Sequence, residues 1–373
     1  MNSLNDWHQI SAAPLNEVVR QAALGRQQVL TKPPGSLGRL EELAVRLASM
    51  QGIEQPAAND IHISIFVADH GVAAEGISAF PQAVTAEMVR NFARGGAAIN
   101  VLANALDATL EIVNLGTVAE LEPLPNVSNA RIGPGTANFT QQAAMDEEQL
   151  LSALLAGQHV VQCPQRSSEL PNSELLNNEL PNSEQRNNVE LFIAGEMGIG
   201  NTTSASAVAC ALLQLPATQL VGPGTGLDSS GVAHKTKVTQ KALDLHQRNI
   251  HSPLDALRYL GGYEIAALTG CYLSCAKAGI PVLIDGFITS VAALCASKLC
   301  PKALDWFIFS HQSAEPGHQY LLNVMEVTPL LTLSMRLGEA SGAATAVPLI
   351  RLACQLHNHM ATFEEARVSA KKA

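Results

Sequence analysis

The chain has 373 residues, of which 47% are hydrophobic, 15% charged and 4% aromatic, and its 33 acidic against 23 basic residues give a net charge of −10. That length and apolar content can bury a large core as one big domain, or as one large and one small. The acidic balance argues against a surface for nucleic acid or anionic membrane, which needs clustered Lys and Arg, so any anionic ligand must be held locally.

The seven cysteines (Cys163, Cys210, Cys271, Cys275, Cys295, Cys300, Cys354) are scattered and form no CxxC pair. Neither a disulfide framework nor a zinc cage is indicated, and a reducing cytoplasm fits. The opening MNSLNDWHQISAAPLNEVVR has neither a basic nor an apolar leader region. The most membrane-like uncharged stretch, Asn201 to Leu227, keeps only SAVACALLQL as a continuous apolar run, short of the ~20 residues a span requires.

In chain order, the segment to about Met50 reads as helical: SLGRLEELAVRLASM places Leu37, Leu40, Leu43, Ala44 and Leu47 on one face, with Ser36 as the cap. Short apolar runs then alternate with helix-like segments, the pattern of a parallel sheet covered on both faces. The expected strands are IHISIFVA, TLEIVNL, VELFIAG, IPVLIDG, DWFIFSH and PLLTLSM. Ahead of the third of these, SSELPNSELLNNELPNSEQRNN (Ser167 to Asn188) repeats ELPNSE and reads as a polar surface insertion. The segment after about Ala343 is again helical. The resulting expectation is a doubly wound, mainly parallel α/β domain of about six strands over residues 51–343. Residues 1–50 and 344–373 are expected to pack together as a smaller helical domain.

Ligands of open α/β sheets bind beyond the carboxyl ends of the strands, which directs attention to the loops there. GEMGIGNTTSASA (Gly195 to Ala207) follows a strand and opens a helix. Gly198 and Gly200 permit close backbone approach, while Asn201, Thr202 and Thr203 bring polar groups beside free helix N–H groups. That suits an anion as well as it suits a structural turn; it is neither a Walker A loop nor GxGxxG. GPGTGLDSSGVAHKTK (Gly222 to Lys237) adds a second glycine-rich loop, with Lys235 further along as a point charge. The stretch from His70 to Val89 offers Ser78, Phe80, Pro81, Gln82 and Met88, a set that lines either a slot for a planar heterocycle or the core. Glu339, in RLGEASGAA, lies at the rim beyond an apolar run, as a chemical group or as a charge favouring the next helix N-terminus. His311 and His318 with Asp69 and His70 invite a metal reading, but no HExxH or short His-x-His pair is present. A site without metal or cofactor is expected.

Taken together, TKPPGSLGRLE, VADHGV, SAFPQAVT, FARGGAAIN, GEMGIGNTTSASA, GPGTGLD, GGYEIAALTG, PVLIDGF, SHQSAEPGH and LLTLSMRLGEASGAA, in order from about Thr31 to Ala346, resemble the nicotinate-nucleotide:dimethylbenzimidazole phosphoribosyltransferases of cobalamin biosynthesis. The insertion at Ser167 to Asn188 departs from that pattern, as does Phe80, where Tyr is equally expected. The resemblance implies transfer of phosphoribose from nicotinate mononucleotide to 5,6-dimethylbenzimidazole, with inversion at the anomeric carbon, by a homodimer. It implies Glu339 as the catalytic carboxylate and Glu196 as a second active-site acid. Lys235 with Gly198, Gly200, Asn201, Thr202, Gly224 and Gly226 would form the phosphate site, and Ser78, Phe80, Gln82, Met88, Met197, Asp285 and Leu337 would complete the substrate contacts. Two rivals remain: a nucleotide-binding protein without catalysis, and an NAD-dependent oxidoreductase, for which no GxGxxG turn is found.

Overall fold

The computed structural model describes residues 1, 3–163 and 189–369; the ELPNSE repeat at 167–188 lies outside them. Among the described residues six strands, β1 (Ile61–Ala68), β2 (Thr109–Gly116), β3 (Val127–Asn129), β4 (Leu191–Met197), β5 (Val282–Ile284) and β6 (Phe307–Phe309), form one sheet. They pair in the order β3-β2-β1-β4-β5-β6, each pair parallel. All eight residues of β1 are buried, which is why its sequence shows no in–out alternation: a central parallel strand has apolar cover on both faces. The Tyr263–Ala278 helix packs across β1, β2 and β4, the Ala83–Ala93 helix on β1 and β2, and the Ser341–His359 helix on β4.

Two expectations about strands need correction. PLLTLSM is not a strand. Leu331 makes one parallel bridge to His311, after which Thr332, Leu333 and Ser334 are exposed and Ser334 turns left-handed at φ 55°, so no ladder can continue. The sixth strand is instead Val127–Asn129, three residues on the outer edge of β2. A polar edge strand that short carries no hydrophobic period to detect.

The predicted N-terminal helix exists as Arg39–Gln51, but its cap is Gly38, not Ser36. Glu41 reaches back to accept the N–H groups of Gly35 and Leu37, which closes the turn before the helix. Its Leu43, Ala44, Leu47 and Met50 join the main core, while Val45 and Ala48 pack with Ala23 and Val19 in a smaller cluster. The two ends of the chain meet here. Arg26 donates to the carbonyls of His357 (2.6 Å) and Asn358 (2.8 Å), covering acceptors left open at the end of the Ser341–His359 helix.

The Glu147–Gln162 and Tyr263–Ala278 helices cross at backbone contact. A Cβ on Gly157 would stand 2.7 Å from the amide nitrogen of Cys271 and 2.8 Å from the carbonyl carbon of Ala267. Alanine has a helix propensity gain of about 1 kcal/mol over glycine, but overpacking against a neighbouring backbone costs about 1–3 kcal/mol, and backbone cannot rotate away. Gly157→Ala is therefore expected to lower the urea midpoint of unfolding; an equal or higher midpoint would show that the two helices separate freely.

Candidate functional site

The strand order reverses between β1 and β4, and this switch point opens the crevice where ligands of such sheets bind. Dinucleotide-binding sheets share the order, but here the turn leaving β1 is Asp69-His70-Gly71. Among the buried acids at this end of the sheet are Glu196 near the end of β4, Asp285 just after β5, and Glu339 ahead of the Ser341–His359 helix. β4 runs further than its apolar run implied, so Glu196 is paired in the sheet opposite Phe66 rather than free in a loop.

Backbone geometry brings Glu339 to the others. Gly338, Glu339 and Ala340 take φ of 86°, 57° and 58°, a left-handed run that is costly for the two residues with a Cβ. The turn rests directly on Gly195 of β4: a Cβ there would lie 2.5 Å from the Ala340 nitrogen and 2.9 Å from the Glu339 carbonyl carbon. A Cβ on Gly338 would lie 2.6 Å from Glu196 Oε1, so the two glutamates share one pocket. Ala343 N–H donates to Asp285 Oδ1 at 2.7 Å, tying the first turn of the helix to β5.

Carboxylates crowded together away from water cannot all be charged. Burial, then the Asp285 charge, pushes Glu339 up to about 7. Burial raises Asp285 to about 7 despite the N–H donors of Ala343, Gly342, Gly286 and Ala340. Glu196 is driven well above the usual carboxylate range by burial, then by the charges of Glu264, Asp285 and Glu339. Asn201 Nδ2 donates to Glu196 Oε2. The cluster thus exchanges protons near neutral pH.

A cationic pocket adjoins it. Lys235, buried in the Ser229–His246 helix, donates from Nζ to Thr202 Oγ1 (2.7 Å) and to the Gly222 carbonyl (3.3 Å). A Cβ on Gly224 would fall 2.7 Å from Thr202 Oγ1 and 3.0 Å from Lys235 Nζ, so only glycine lets that backbone sit beside the ammonium. Burial lowers Lys235 to about 8, leaving it cationic at neutral pH. Ser78 Oγ meets Thr225 Oγ1 at 3.2 Å, which joins the Ser78–Gln82 loop to the Gly222–Leu227 loop.

Glu196, Asn201, Asp285 and Glu339 therefore form one group, and Thr202, Gly224 and Lys235 a second with Ser78 on its flank. A Cβ on Gly198 would overlap the Ala68 carbonyl oxygen at the end of β1, and Gly200 caps the Asn201–Leu213 helix in the left-handed region. Phe80 and Leu337 are 53% and 59% exposed; Gly226 is open to solvent on its Cα face. Gln82 does not point at the acids: its amide donates to the His70 carbonyl at 3.0 Å. Met88 and Met197 pack against the hydrophobic core.

Sequence reasoning left out four residues. Glu264 lies fully buried under the site and meets His70 Nε2 at 2.7 Å; an acid inside the otherwise apolar YEIAALTGCYLSC was a readable signal. Arg336 donates to the Gly224 carbonyl at 3.0 Å, and its position three residues before Glu339 was equally visible. Thr225 and Glu315, which adjoin the cationic pocket, carried no such signal. His318 has both ring nitrogens engaged, with the Ser313 N–H at 2.8 Å and Ser290 Oγ at 2.9 Å. A concavity of about 610 Å³ between the Glu17–Val29 and Arg39–Gln51 helices shares no residue with either pocket.

Fold and site define an α/β protein with proton-holding acids beside a cationic pocket at the switch point of its sheet. The chain belongs to the nicotinate-nucleotide–dimethylbenzimidazole phosphoribosyltransferase family. A family model described as phosphoribosyltransferase matches residues 12–169 and 177–368, leaving its gap inside the repeated segment. Proteins named nicotinate-nucleotide–dimethylbenzimidazole phosphoribosyltransferase from Pseudomonas savastanoi pv. phaseolicola and Pseudomonas aeruginosa are 54% and 53% identical over 369 and 367 residues, covering 99% and 98% of this chain and 99% of each relative. The crystal structure of the Thermus thermophilus protein of that name superposes with a TM-score of 0.84 at 40% identity, covering 96% of this chain and 100% of that one.

The raised acids make stability depend on pH. Glu339 titrates near 7 in the folded chain against an ordinary 4.5 when unfolded, so across that interval the native state binds more protons and stability falls as pH rises. Glu339→Gln removes this penalty. Calorimetric unfolding is expected to show a raised Tm at pH 8 and little change near pH 5; an equal shift at both would mean that Glu339 is not held protonated by its surroundings.

Proposed function

We propose that the chain transfers 5-phosphoribose from nicotinate mononucleotide to 5,6-dimethylbenzimidazole, releasing nicotinate and forming α-ribazole 5′-phosphate with inversion at the anomeric carbon. The observation that carries this reading is Glu339: a buried carboxylate tuned to about 7, fixed by a left-handed turn at the switch point of the sheet. The family membership supplies the substrates.

The chemistry divides the labour unevenly. Nicotinate leaves from a pyridinium nitrogen as a neutral ring, so its departure needs no acid. The nucleophile is the harder half. As one benzimidazole nitrogen attacks, the ring gains positive charge and its other N–H becomes acidic, and a carboxylate titrating near neutrality takes that proton as the bond forms. Glu339 is assigned this step, with Glu196 positioning the sugar or the base. Lys235 binds the phosphate and, with Thr202 and the Gly222–Gly226 loop, fixes the anomeric carbon at near-attack distance. Attack from the face opposite nicotinate gives the inversion. These assignments give kcat/KM a bell shape, rising as Glu339 ionises near 7 and falling as Lys235 loses its proton near 8.

The same proposal includes a homodimer, supported by the exposed Phe80, Leu333 and Leu337 around the site, and a small helical unit built from both chain ends. The acidic surface supports a chain that does not bind nucleic acid.

The test is a purified-protein assay with nicotinate mononucleotide, with and without 5,6-dimethylbenzimidazole, following nicotinate and ribazole phosphate by chromatography. Release that depends on the benzimidazole is expected, and Glu339→Gln is expected to lower kcat on the order of 10²-fold with little change in KM. Collapse in Glu196→Gln with Glu339→Gln intact would reassign the base. No consumption by the wild type would leave a binding protein.

A further inference from the structure

We propose that Glu315 is the positioning residue of the phosphate pocket: it holds the Gly222–Gly224 backbone from behind and serves as the counter-charge that keeps Lys235 an ammonium ready for the incoming phosphate. The inference deepens the proposed function and rests on its assignment of Lys235.

Glu315 precedes the Pro316–Val324 helix, in the N-cap position, yet its side chain makes no cap hydrogen bond. It is 6% exposed and turns to the glycine loop instead. The Gly224 N–H donates to its carboxylate. Its Oε2 presses on Gly222 so closely that a Cβ there would overlap it, and its Oε1 has no hydrogen-bond partner among the described residues. On the other side of the same loop, Lys235 Nζ donates to the Gly222 carbonyl and Arg336 Nη1 to the Gly224 carbonyl. One strip of backbone thus separates a buried acid from two cations.

The separation matters. A buried ammonium without a counter-charge is strongly disfavoured and sheds its proton instead. A carboxylate in direct contact would prevent that, but would also occupy the donors a phosphate needs. Lys235 has three N–H donors, of which two are engaged by Thr202 and Gly222, so one is left for a ligand. Burial raises the Glu315 carboxyl, and the Lys235 charge, the Gly224 N–H and the Arg336 charge act against that; Glu315 is in turn the charge that opposes the effect of burial on Lys235. A second acid also repels a phosphate dianion. Removing it therefore has opposite effects on the two sides of the Lys235 titration: slightly tighter binding where Lys235 stays charged, weaker binding where it does not.

That crossover is the test. kcat and KM for nicotinate mononucleotide are measured from about pH 6.5 to 9.5 for the wild type, Glu315→Gln, Glu315→Asp and Glu315→Gln with Lys235→Arg, and inorganic phosphate binding is followed by calorimetry at the same pH values. In Glu315→Gln the alkaline limb of kcat/KM moves down by about one pH unit, roughly a tenfold loss above it, while KM at the acid end is unchanged or lower. Arginine, which does not deprotonate, abolishes the limb in the double variant. Glu315→Asp, with its carboxylate one methylene further back, gives an intermediate limb and suffices alone if the glutamine variant does not fold. A KM raised uniformly at every pH would overturn the inference, because a residue that only props the loop acts that way. Lys235→Ala with unchanged KM and phosphate affinity would refute the phosphate assignment itself, whatever Glu315 does.

Discussion

The acid cluster at the switch point of the sheet depends on one contact, the seating of the Gly338–Ala340 turn on the bare backbone of Gly195. Two residues with side chains are held left-handed there, at a cost of order 1–3 kcal/mol each. That cost is tolerated because the turn is the entrance to a long helix that packs on β4 and on the Arg39–Gln51 and Ala98–Leu106 helices. The packing energy of that helix fixes a strained turn, and the strained turn fixes a carboxylate. A side chain at position 195 would lift the turn off the sheet and separate Glu339 from Glu196.

The site has electrical polarity as well as shape. Glu196, Asp285 and Glu339 share a buried pocket that favours protons, while Lys235 and Arg336 hold the neighbouring glycine loop. A substrate that is anionic at one end and becomes cationic at the other during reaction fits this arrangement. Helix N-termini and backbone amides are ready-made donors for an anion, so a chain of net charge −10 has no need of a basic surface to offer it a place.

The sequence was most legible where a periodic or chemical signal was strong. β1, β2 and β4 announced themselves by apolar, β-branched runs, and the loop at Gly195–Gly200 by its position after one of them. PLLTLSM misled because a short apolar run looks alike whether it is buried in a sheet or lines an exposed rim, and Leu333 and Leu337 turn out to be half exposed. Val127–Asn129 was invisible because its strand character comes from β2, not from its own side chains. Gln82 and Met88 share a motif with Ser78 but point elsewhere, since a sequence orders residues along a loop without aiming them. Glu315 could not be read at all: its partner is a backbone nearly a hundred positions away in the chain.

The order of the sheet also bears on how the protein comes into being. Its central ladder joins Ile61 to Leu191 and Val67 to Met197, with β2 and β3 lying between them in the chain. Parallel pairing across such a separation carries a large loop-closure entropy and is slow. During synthesis, β1, β2 and β3 can associate early, but β1 keeps one apolar edge unpaired until β4 arrives. The last piece of the acid cluster is Glu339 itself, far beyond β4 in the chain. The nascent protein therefore carries the Gly222–Gly226 loop and Lys235 well before it carries Glu339, and the acid cluster is complete only once the Ser341–His359 helix has docked.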